Sequence, residues 1–150
     1  MNNQHLVIRA FNGATDTATL SRIWLEASLV AHPFIGEATL REQQLLIEKH
    51  YLPGAETWVA CFSNEPLGFI SLISNFVGGI FVAPAKQGLG IGRQLIAHAM
   101  TRHATLSLEV YTANRAAMAF YAALGFDEVL RRPDDDQGMP FENARLVFRG

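Results

Sequence analysis

The order of the predicted elements places this chain in the α+β class, as a mixed and mostly antiparallel sheet of about seven strands flanked by about four helices. Three observations lead to this prediction. Two β-rich segments are joined by the turn-forming residues 63–66, as in a hairpin. Residues 76–110 run as strand, glycine-rich turn, helix and strand, which is the pattern of a βαβ unit. Apolar segments after residue 125 supply closing strands.

The first 54 residues predict one short strand and two helices. Residues 6–9 (LVIR) form the strand, and a turn at Asn12-Gly13 follows it. Apolar residues then recur at helical spacing as far as Pro33, which ends the helix because proline lacks an N–H. A second helix is predicted over residues 39–51, with Pro53-Gly54 as its stop.

The middle of the chain predicts three consecutive strands. Residues 57–62 and 67–73 are rich in β-branched and aromatic side chains, and they form the hairpin. Residues 76–82 form the third strand, which Gly78-Gly79 interrupts. A glycine pair inside a strand weakens the ladder and indicates a bulge or a close backbone approach by a ligand.

The last third of the chain predicts two helices and three strands. In order, these are a helix over residues 89–102, a strand over 105–110, a helix over 114–124, and strands over 126–130 and 146–148. Asn114 caps the second of these helices and Gly125 stops it. The final strand is expected to be unpaired, so that it could mediate a homodimer.

Length and composition restrict the class of protein. A chain of 150 residues with 49% hydrophobic side chains buries one core, so a single domain over residues 1–150 is predicted. No apolar run is long enough to span a membrane and residues 1–5 (MNNQH) do not resemble a signal peptide, so a cytoplasmic protein is expected. A net charge of −2 lacks the basic excess that nucleic-acid binding requires. Cys61 is the only cysteine, and its apolar strand predicts a core position.

Residues 82–93 (VAPAKQGLGIGR) are the most informative stretch. Their glycines let the backbone approach a ligand, and the helix that follows presents unpaired N–H groups with a partial positive charge. Such a place suits a pyrophosphate, with Lys86 and Arg93 at its rim. The alternative is a tight strand-to-helix connection without a ligand. A P-loop is excluded because no Gly-Lys-Ser/Thr follows, and the glycines do not stand in the dinucleotide-binding register.

Two motifs give the chain a specific resemblance. QxxGxG at residues 87–92, directly after a Val-x-Pro strand exit, resembles the acetyl-CoA pyrophosphate loop of the GNAT superfamily of N-acetyltransferases. NxxAxxFYxxxGF at residues 114–126 resembles a later helix and strand of the same superfamily. The resemblance implies a three-layer αβα fold. Residues 134–141 are similar to the same region of small bacterial members of YjaB type.

Carried over position by position, the resemblance implies a site for acetyl-CoA. Backbone amides of residues 87–92 would hold the pyrophosphate, Phe81 and Val82 would pair with the pantetheine arm like a neighbouring strand, and Asn114 would touch the same arm. In this superfamily the strands corresponding to residues 76–82 and 105–110 splay apart, and the cofactor enters the gap. The full set of implied cofactor-binding residues is Phe81, Val82, Gln87, Gly88, Leu89, Gly90, Ile91, Gly92, Arg93 and Asn114.

The resemblance also implies the catalytic groups. Tyr121 stands at the position of the family's general acid, and a phenol can protonate the departing thiolate. The amine must lose its proton before it attacks. Glu109 is the candidate base, because its strand resembles that of the ribosomal-protein N-terminal acetyltransferases. Many members carry a glutamate on the strand corresponding to residues 76–82, which has none here, so a water relay and His32 remain alternatives for the base.

These features predict an N-acetyltransferase that moves an acetyl group directly from acetyl-CoA to a primary amine of a small molecule or a protein or peptide N-terminus. A non-catalytic acyl-CoA-binding sensor and a domain that keeps only the fold are the alternatives. No metal site is predicted, since His98 and His103 do not share a helix face. The residues expected to shape the acceptor pocket are Trp24, Phe34, Ile35 and the 134–141 loop, whose aspartates could attract a cationic amine.

Overall fold

The computed structural model describes residues 6–150, so residues 1–5, which were predicted not to be a signal peptide, lie outside the described residues. The strands are β1 (Val7–Ala10), β2 (Glu56–Phe62), β3 (Glu65–Ile73), β4 (Phe76–Val82), β5 (Leu106–Tyr111), β6 (Asp127–Arg132) and β7 (Asn143–Phe148). The helices are α1 (Gly13–Ala31), α2 (Glu37–Leu46), a single turn α3 (Leu52–Gly54), α4 (Ile91–Met100) and α5 (Arg115–Leu124). Both the hairpin and the βαβ unit that the sequence predicted are present.

The seven strands form one sheet in the order β1-β2-β3-β4-β5-β7-β6. Every neighbouring pair is antiparallel except β4 and β5, which are parallel. Helices α4 and α5 pack on one face of the sheet around Leu95, and α1 and α2 pack on the other around Leu20. The predicted three-layer αβα fold with seven strands and four full helices is thus confirmed.

The central parallel pair is joined over only two positions. Phe76 is opposite Ser107 and Val77 is opposite Leu108, and beyond Val77 the two strands separate. On its other side β4 stays paired with β3 as far as Val82, with a bulge at which Leu72 faces Val77 and Ser71 faces Gly79. Gly78 is the extra residue, as the glycine pair predicted. The sheet therefore opens at its centre into a gap between β4 and β5.

The last strand does not lie at an edge, contrary to the sequence-based expectation. β7 pairs with β5 on one side and with β6 on the other, so residues 146–148 have no free edge for a second copy. The edges of the sheet are β1 and β6. Strand order depends on the side to which the chain returns after residues 133–142, and no local pattern encodes that choice.

The second helix also continues further than predicted. Residues 47–51 form a π-helical turn, and α3 carries the helical path on to Gly54. The helical path ends at Gly54, since Ala55 is extended, so Pro53-Gly54 marks its end as predicted. A π-helical turn holds more residues than an α-helical turn, and it therefore changes the direction of the side chains that follow. Tyr51 is part of this turn.

None of the helices within residues 6–150 combines the length and the apolar character that crossing a membrane requires. Cys61 is buried in the core, as predicted, and pairs with Val7 across the β1–β2 ladder.

Candidate active site

Residues 83–90 connect β4 to α4, and together with the first turn of α4 they present a row of free backbone donors. Gly88 and Gly90 each have φ of +83°, a left-handed conformation that glycine adopts without strain. No heavy atom lies within 4 Å of the position of an added Cβ at either glycine, so this side of the loop is open. Within the described chain, none of the six amides of residues 88–93 donates a hydrogen bond. Unpaired donors at the positive end of a helix suit a diphosphate.

Of the other predicted residues of the loop, some stabilise its conformation and some lie at the rim of the cleft. The Gln87 side chain donates from Nε2 to the Val82 carbonyl oxygen at 3.2 Å, which ties the loop to the end of β4. Ile91 is buried in the core, and a Cβ on Gly92 would lie 3.1 Å from Phe120 Cζ. Leu89 is exposed, and Arg93 lines the cleft.

The unpaired side of β4 provides backbone groups for a second chain. The Ala83 amide donates to the Leu67 carbonyl oxygen at 2.8 Å, so Ala83, and Phe81 two residues earlier, direct their polar backbone groups to β3. The backbone N–H and C=O groups of successive residues in a strand point to alternate sides, so those of Val82 and Ile80 point into the gap. Of the two residues predicted to pair with the pantetheine arm, only Val82 directs its backbone groups into the gap, and its carbonyl oxygen already accepts from Gln87 Nε2. The Phe81 side chain packs against Trp24 and Phe69.

A cleft of about 990 Å³ runs through this gap and is lined by residues from both faces of the sheet. Charged side chains of opposite sign line its two ends. Lys86 and Arg93 stand beside the free amides, and Arg115 at the start of α5 lines the cleft as well. At the other end, below the loop between α1 and α2, the charged lining residues are Glu109, Asp135, Asp136 and Arg132. The predicted acceptor-pocket residues Trp24, Phe34 and Ile35 line this second end too.

Tyr121 lies on the α5 side of the cleft and is 7% exposed. Its ring packs edge-on against Phe120 and Phe126, at centroid distances of 5.2 and 5.3 Å. Burial raises the pKa of the Tyr121 phenol above its usual value of 10, so the hydroxyl stays protonated at neutral pH. A protonated phenol in the cleft is able to donate to a leaving group.

Glu109 lies on the opposite face of the sheet from Tyr121. Leu106, Leu108 and Val110 of β5 face α4 and α5, so the alternate residue Glu109 faces α1 and α2. Its carboxylate accepts a hydrogen bond from Arg132 Nη2 at 2.9 Å and lies 3.8 Å from Arg145 Nη1. The two predicted catalytic residues thus line one cleft from opposite faces, and Glu109 is held by two guanidinium groups.

Asn114 joins the cofactor side to the acceptor side. Its Oδ1 accepts from the Ala117 amide at 3.1 Å, which caps α5 and turns Nδ2 towards His32 Nε2, 3.4 Å away. Since an amide nitrogen only donates, His32 Nε2 must be the acceptor, and the proton of the neutral ring is on Nδ1. The His32 ring contacts Phe34 and Tyr111 edge-on at 5.9 and 5.1 Å.

Burial lowers the pKa of His32 from 6.5 to about 4. Between these two pH values the unfolded chain binds more protons than the folded chain, so the free energy of unfolding decreases as the pH falls from about 6.5 to about 4. We expect His32→Gln, which keeps an acceptor for Asn114, to lose part of this decrease. Urea denaturation at pH 7 and pH 4.5 measures it, with His50→Gln on the exposed helix surface as the control. Identical pH dependence of the wild type and His32→Gln would contradict the expectation.

Three cleft residues had no signal strong enough to be predicted from the sequence. Tyr51 reaches the cleft from the π-helical turn, and its ring fills the space that a Cβ on Gly78 would need, at 2.7 Å. The Tyr111 hydroxyl donates to Asp135 Oδ2 at 2.9 Å and fixes the 134–141 loop over the acceptor end. Arg132 binds Glu109 and Asp136. The glycine pair at 78–79 was the only local hint, because a large side chain must cover it.

In residues 6–150, no three His, Cys, Asp or Glu side chains come close enough together to hold a metal ion.

Comparisons with known proteins agree with this geometry. The model of the acetyltransferase (GNAT) family matches residues 18–126. Peptidyl-lysine N-acetyltransferase YiaC of Escherichia coli strain K12 is 35% identical over 127 residues, which cover 84% of this chain and 87% of that protein.

Solved structures agree as well. The solution structure of apo-form YjaB from Escherichia coli superposes with a TM-score of 0.88 at 29% identity, over 97% of this chain and 99% of that chain. The structure of yncA from Salmonella typhimurium with its cofactor acetyl-CoA superposes with a TM-score of 0.70 over 96% of this chain and 93% of that one. Its 20% identity supports the fold alone.

Proposed function

The chain belongs to the GNAT family of acetyltransferases, as its two motifs predicted, and we propose that it transfers the acetyl group of acetyl-CoA to the side-chain amine of lysine in proteins or peptides. The relative YiaC, which this chain matches over most of its length, carries the name peptidyl-lysine N-acetyltransferase. The observation that carries the proposal is the row of six free amides at residues 88–93 beside the open gap between β4 and β5.

The described residues fit acetyl-CoA part by part. The free amides, with Lys86 and Arg93 at their rim, would hold the diphosphate. Val82 and Ile80 would bond the amides of the pantetheine arm as a neighbouring strand does. At about 3.3 Å per residue the gap from Val82 back to Val77 is roughly 16 Å long, so the thioester end would reach the bulge at Gly78.

The acceptor end suits a cationic substrate. Three carboxylates, Glu109, Asp135 and Asp136, line it together with Arg132, and Arg145 lies 3.8 Å from Glu109, so the carboxylates outnumber the guanidinium groups by one. Asp136 has 73% of its side chain exposed, where it can attract an approaching ammonium group. Phe34, Tyr111 and Phe141 form an aromatic cluster at the same end, with ring centroids 5.1–6.1 Å apart, and can pack along the apolar stem of a lysine.

Direct transfer needs one proton acceptor and one proton donor. The lone pair of the neutral amine attacks the thioester carbonyl carbon, a C–N bond forms, and the C–S bond breaks. The proton lost by the amine goes to a base on the acceptor face, and Tyr121 supplies a proton to the departing sulfur from the α5 face. Glu109 and Tyr121 lie on opposite faces of the sheet, which supports one as the proton acceptor and the other as the proton donor.

Glu109 remains our candidate for the base. It lies on the acceptor face with 20% of its side chain exposed, so water can carry its proton away. Its carboxylate is bonded to Arg132 and lies 3.8 Å from Arg145, and a relay through water would carry the amine proton to it. His32 is the second candidate. It is neutral at pH 7, but its pKa of about 4 makes it a weak base, and its Nε2 lone pair is engaged by Asn114.

Matched peptides test the lysine acceptor. One peptide has an acetylated N-terminus and one lysine, and the other has a free N-terminus and norleucine in place of lysine. At pH 7 the neutral fraction of an α-amine exceeds that of a lysine side chain by more than two orders of magnitude, because their pKa values are about 7.8 and 10.4. We nevertheless expect kcat/KM for the lysine peptide to be at least about tenfold higher, since the cleft must select lysine. Release of free coenzyme A thiol and peptide mass measure it.

The same experiment separates the alternatives. If the enzyme prefers the peptide with the free N-terminus, the acceptor is an α-amine and not the lysine side chain. Coenzyme A binding without thiol release from any peptide or amine would support the non-catalytic sensor instead. Absence of coenzyme A binding would support the third alternative, a domain that has the fold of the family without its activity. A cytoplasmic location and a homodimer remain predictions, and any pairing through a strand edge must use β1 or β6.

A further inference from the structure

A second, smaller cavity adjoins the cleft at the bulge of β4. It measures about 110 Å³ and lies on the α1 and α2 face of the sheet. Its walls, which define what is here called the bulge chamber, are the side chains of Trp24, Ile47, Tyr51, Leu52, Phe69 and Phe81 with the backbone of Gly78 and Gly79. The two cavities share Trp24, Tyr51, Phe81 and both glycines as lining residues.

We propose that the bulge chamber receives the alkyl chain of acyl groups longer than acetyl, so that the enzyme also uses propionyl-CoA and butyryl-CoA as donors. The proposal rests on the proposed function, which brings the thioester to Gly78. A carbonyl group held at that end of the gap has the chamber directly beside it. The bonds formed and broken are those of acetyl transfer, with only the alkyl group changed.

The glycine pair brings the rings that line both cavities close to the backbone of β4. A Cβ on Gly78 would lie 2.7 Å from Tyr51 Cε1, and a Cβ on Gly79 would lie 2.4 Å from Phe81 Cε2. Both missing side chains would therefore point towards the chamber walls. Because neither residue has a Cβ, the Tyr51 and Phe81 rings pack directly on the backbone of β4, and these two rings line both the chamber and the cleft.

The chemistry of the walls selects for uncharged alkyl chains. Leu52 and Phe69 are at most 2% exposed, and the Ser71 hydroxyl, which also lines the chamber, is bonded to Thr57 Oγ1 at 2.8 Å. A carboxylate such as that of a succinyl group would lose its hydration there and meet only uncharged wall groups. A dry apolar cavity of about 150 Å³ can hold a benzene molecule, so 110 Å³ has room for a chain of two or three methylene and methyl groups.

Binding and turnover of an acyl-CoA series test the proposal. Burial of one methylene strengthens binding roughly fourfold, so calorimetry should find butyryl-CoA bound about fifteenfold more tightly than acetyl-CoA, and succinyl-CoA no more tightly. With the lysine peptide, kcat/KM for propionyl and butyryl transfer should stay within about tenfold of that for acetyl transfer. Equal affinities for acetyl-CoA and butyryl-CoA would overturn the proposal and identify the chamber as a packing void.

Variants at Ile47 change the chamber from its far wall. Ile47→Phe should reduce butyryl-CoA affinity at least about tenfold and leave acetyl-CoA affinity within about twofold. Ile47→Ala should extend the accepted range to hexanoyl-CoA, and it tests the proposal even if Ile47→Phe does not fold. Leu45→Phe adds the same ring to the exposed surface of α2 and should change neither affinity. An equal effect of Ile47→Phe on both thioesters would contradict the assignment.

The two proposals fail in different ways. If no amine is acetylated but butyryl-CoA binds more tightly than acetyl-CoA, the chamber is supported as an acyl-chain site and the proposed lysine acetyltransferase activity fails. If acetyl transfer to lysine proceeds but longer acyl groups bind no better, the proposed function stands and the chamber proposal fails.

Discussion

Replacement of Tyr121 by phenylalanine should lower kcat about 10²- to 10³-fold while leaving the KM for acetyl-CoA within about threefold. A positioned general acid contributes a factor of about 10² to 10⁴, and the phenol is the buried donor on the cofactor face. Coenzyme A leaves as a thiolate in the same desolvated cleft, where burial raises the pKa of the thiol as well as that of the phenol. The proton therefore passes between two groups in one environment.

The variant keeps the fold intact. The phenyl ring retains the edge contacts with Phe120 and Phe126. No hydrogen bond within residues 6–150 uses the Tyr121 hydroxyl, so its removal should leave the melting temperature nearly unchanged. Steady-state kinetics with the lysine peptide give kcat and KM separately, and pre-steady-state thiol release tests whether the chemical step is slowed.

Tyr111→Phe is the matched control for this substitution. Tyr111 also lines the cleft, and its hydroxyl binds Asp135 in the 134–141 loop. Its loss should raise the KM for the peptide less than about tenfold and leave kcat within about threefold, since the loop shapes the acceptor end alone. If Tyr121→Phe kept more than half of the wild-type kcat, sulfur would have to leave unprotonated and the phenol would have only a packing role.

The parts of the site that the sequence predicted are those that depend on local chain chemistry. Gly88 and Gly90 stand in a left-handed conformation that their residue type favours, and Asn114 caps α5 as its position predicted. The bulge at Gly78 follows from a glycine pair in a strand. Each of these features is determined within a few residues of chain, so a motif is sufficient to identify it.

The parts that were missed depend on contacts between distant segments. Tyr51 meets Gly78 only because a π-helical turn rotates it towards the cleft, and the spacing of apolar residues in α2 predicted an ordinary helix. Phe81 was predicted to pair with the cofactor, but the register of β3 against β4 directs its backbone groups to β3. A shift of the strand register by one residue changes the side to which a backbone N–H and C=O point. The sequence of one strand alone does not reveal the register.

Substitution of Gly90 by aspartate should weaken coenzyme A binding about 10²- to 10³-fold. Gly90 is the N-cap of α4, with φ of +83°, a region in which asparagine and aspartate are the side chains tolerated best. An aspartate there would place its carboxylate among the free amides of residues 88–93 and repel the diphosphate. Charge-assisted hydrogen bonds contribute about 1.5 to 3 kcal/mol each, so the loss of one or two accounts for the expected change.

Gly90→Asn separates charge from shape, since asparagine matches aspartate in size and in backbone preference. We expect Gly90→Asn to bind coenzyme A no more than about tenfold more weakly than the wild type, and both variants to melt within a few degrees of each other. Titration calorimetry in 50 and 300 mM salt provides the measurement, and the difference between the two variants should shrink at high salt because the repulsion is screened. Equal affinities of the aspartate and asparagine variants would mean that the diphosphate does not bind at these amides.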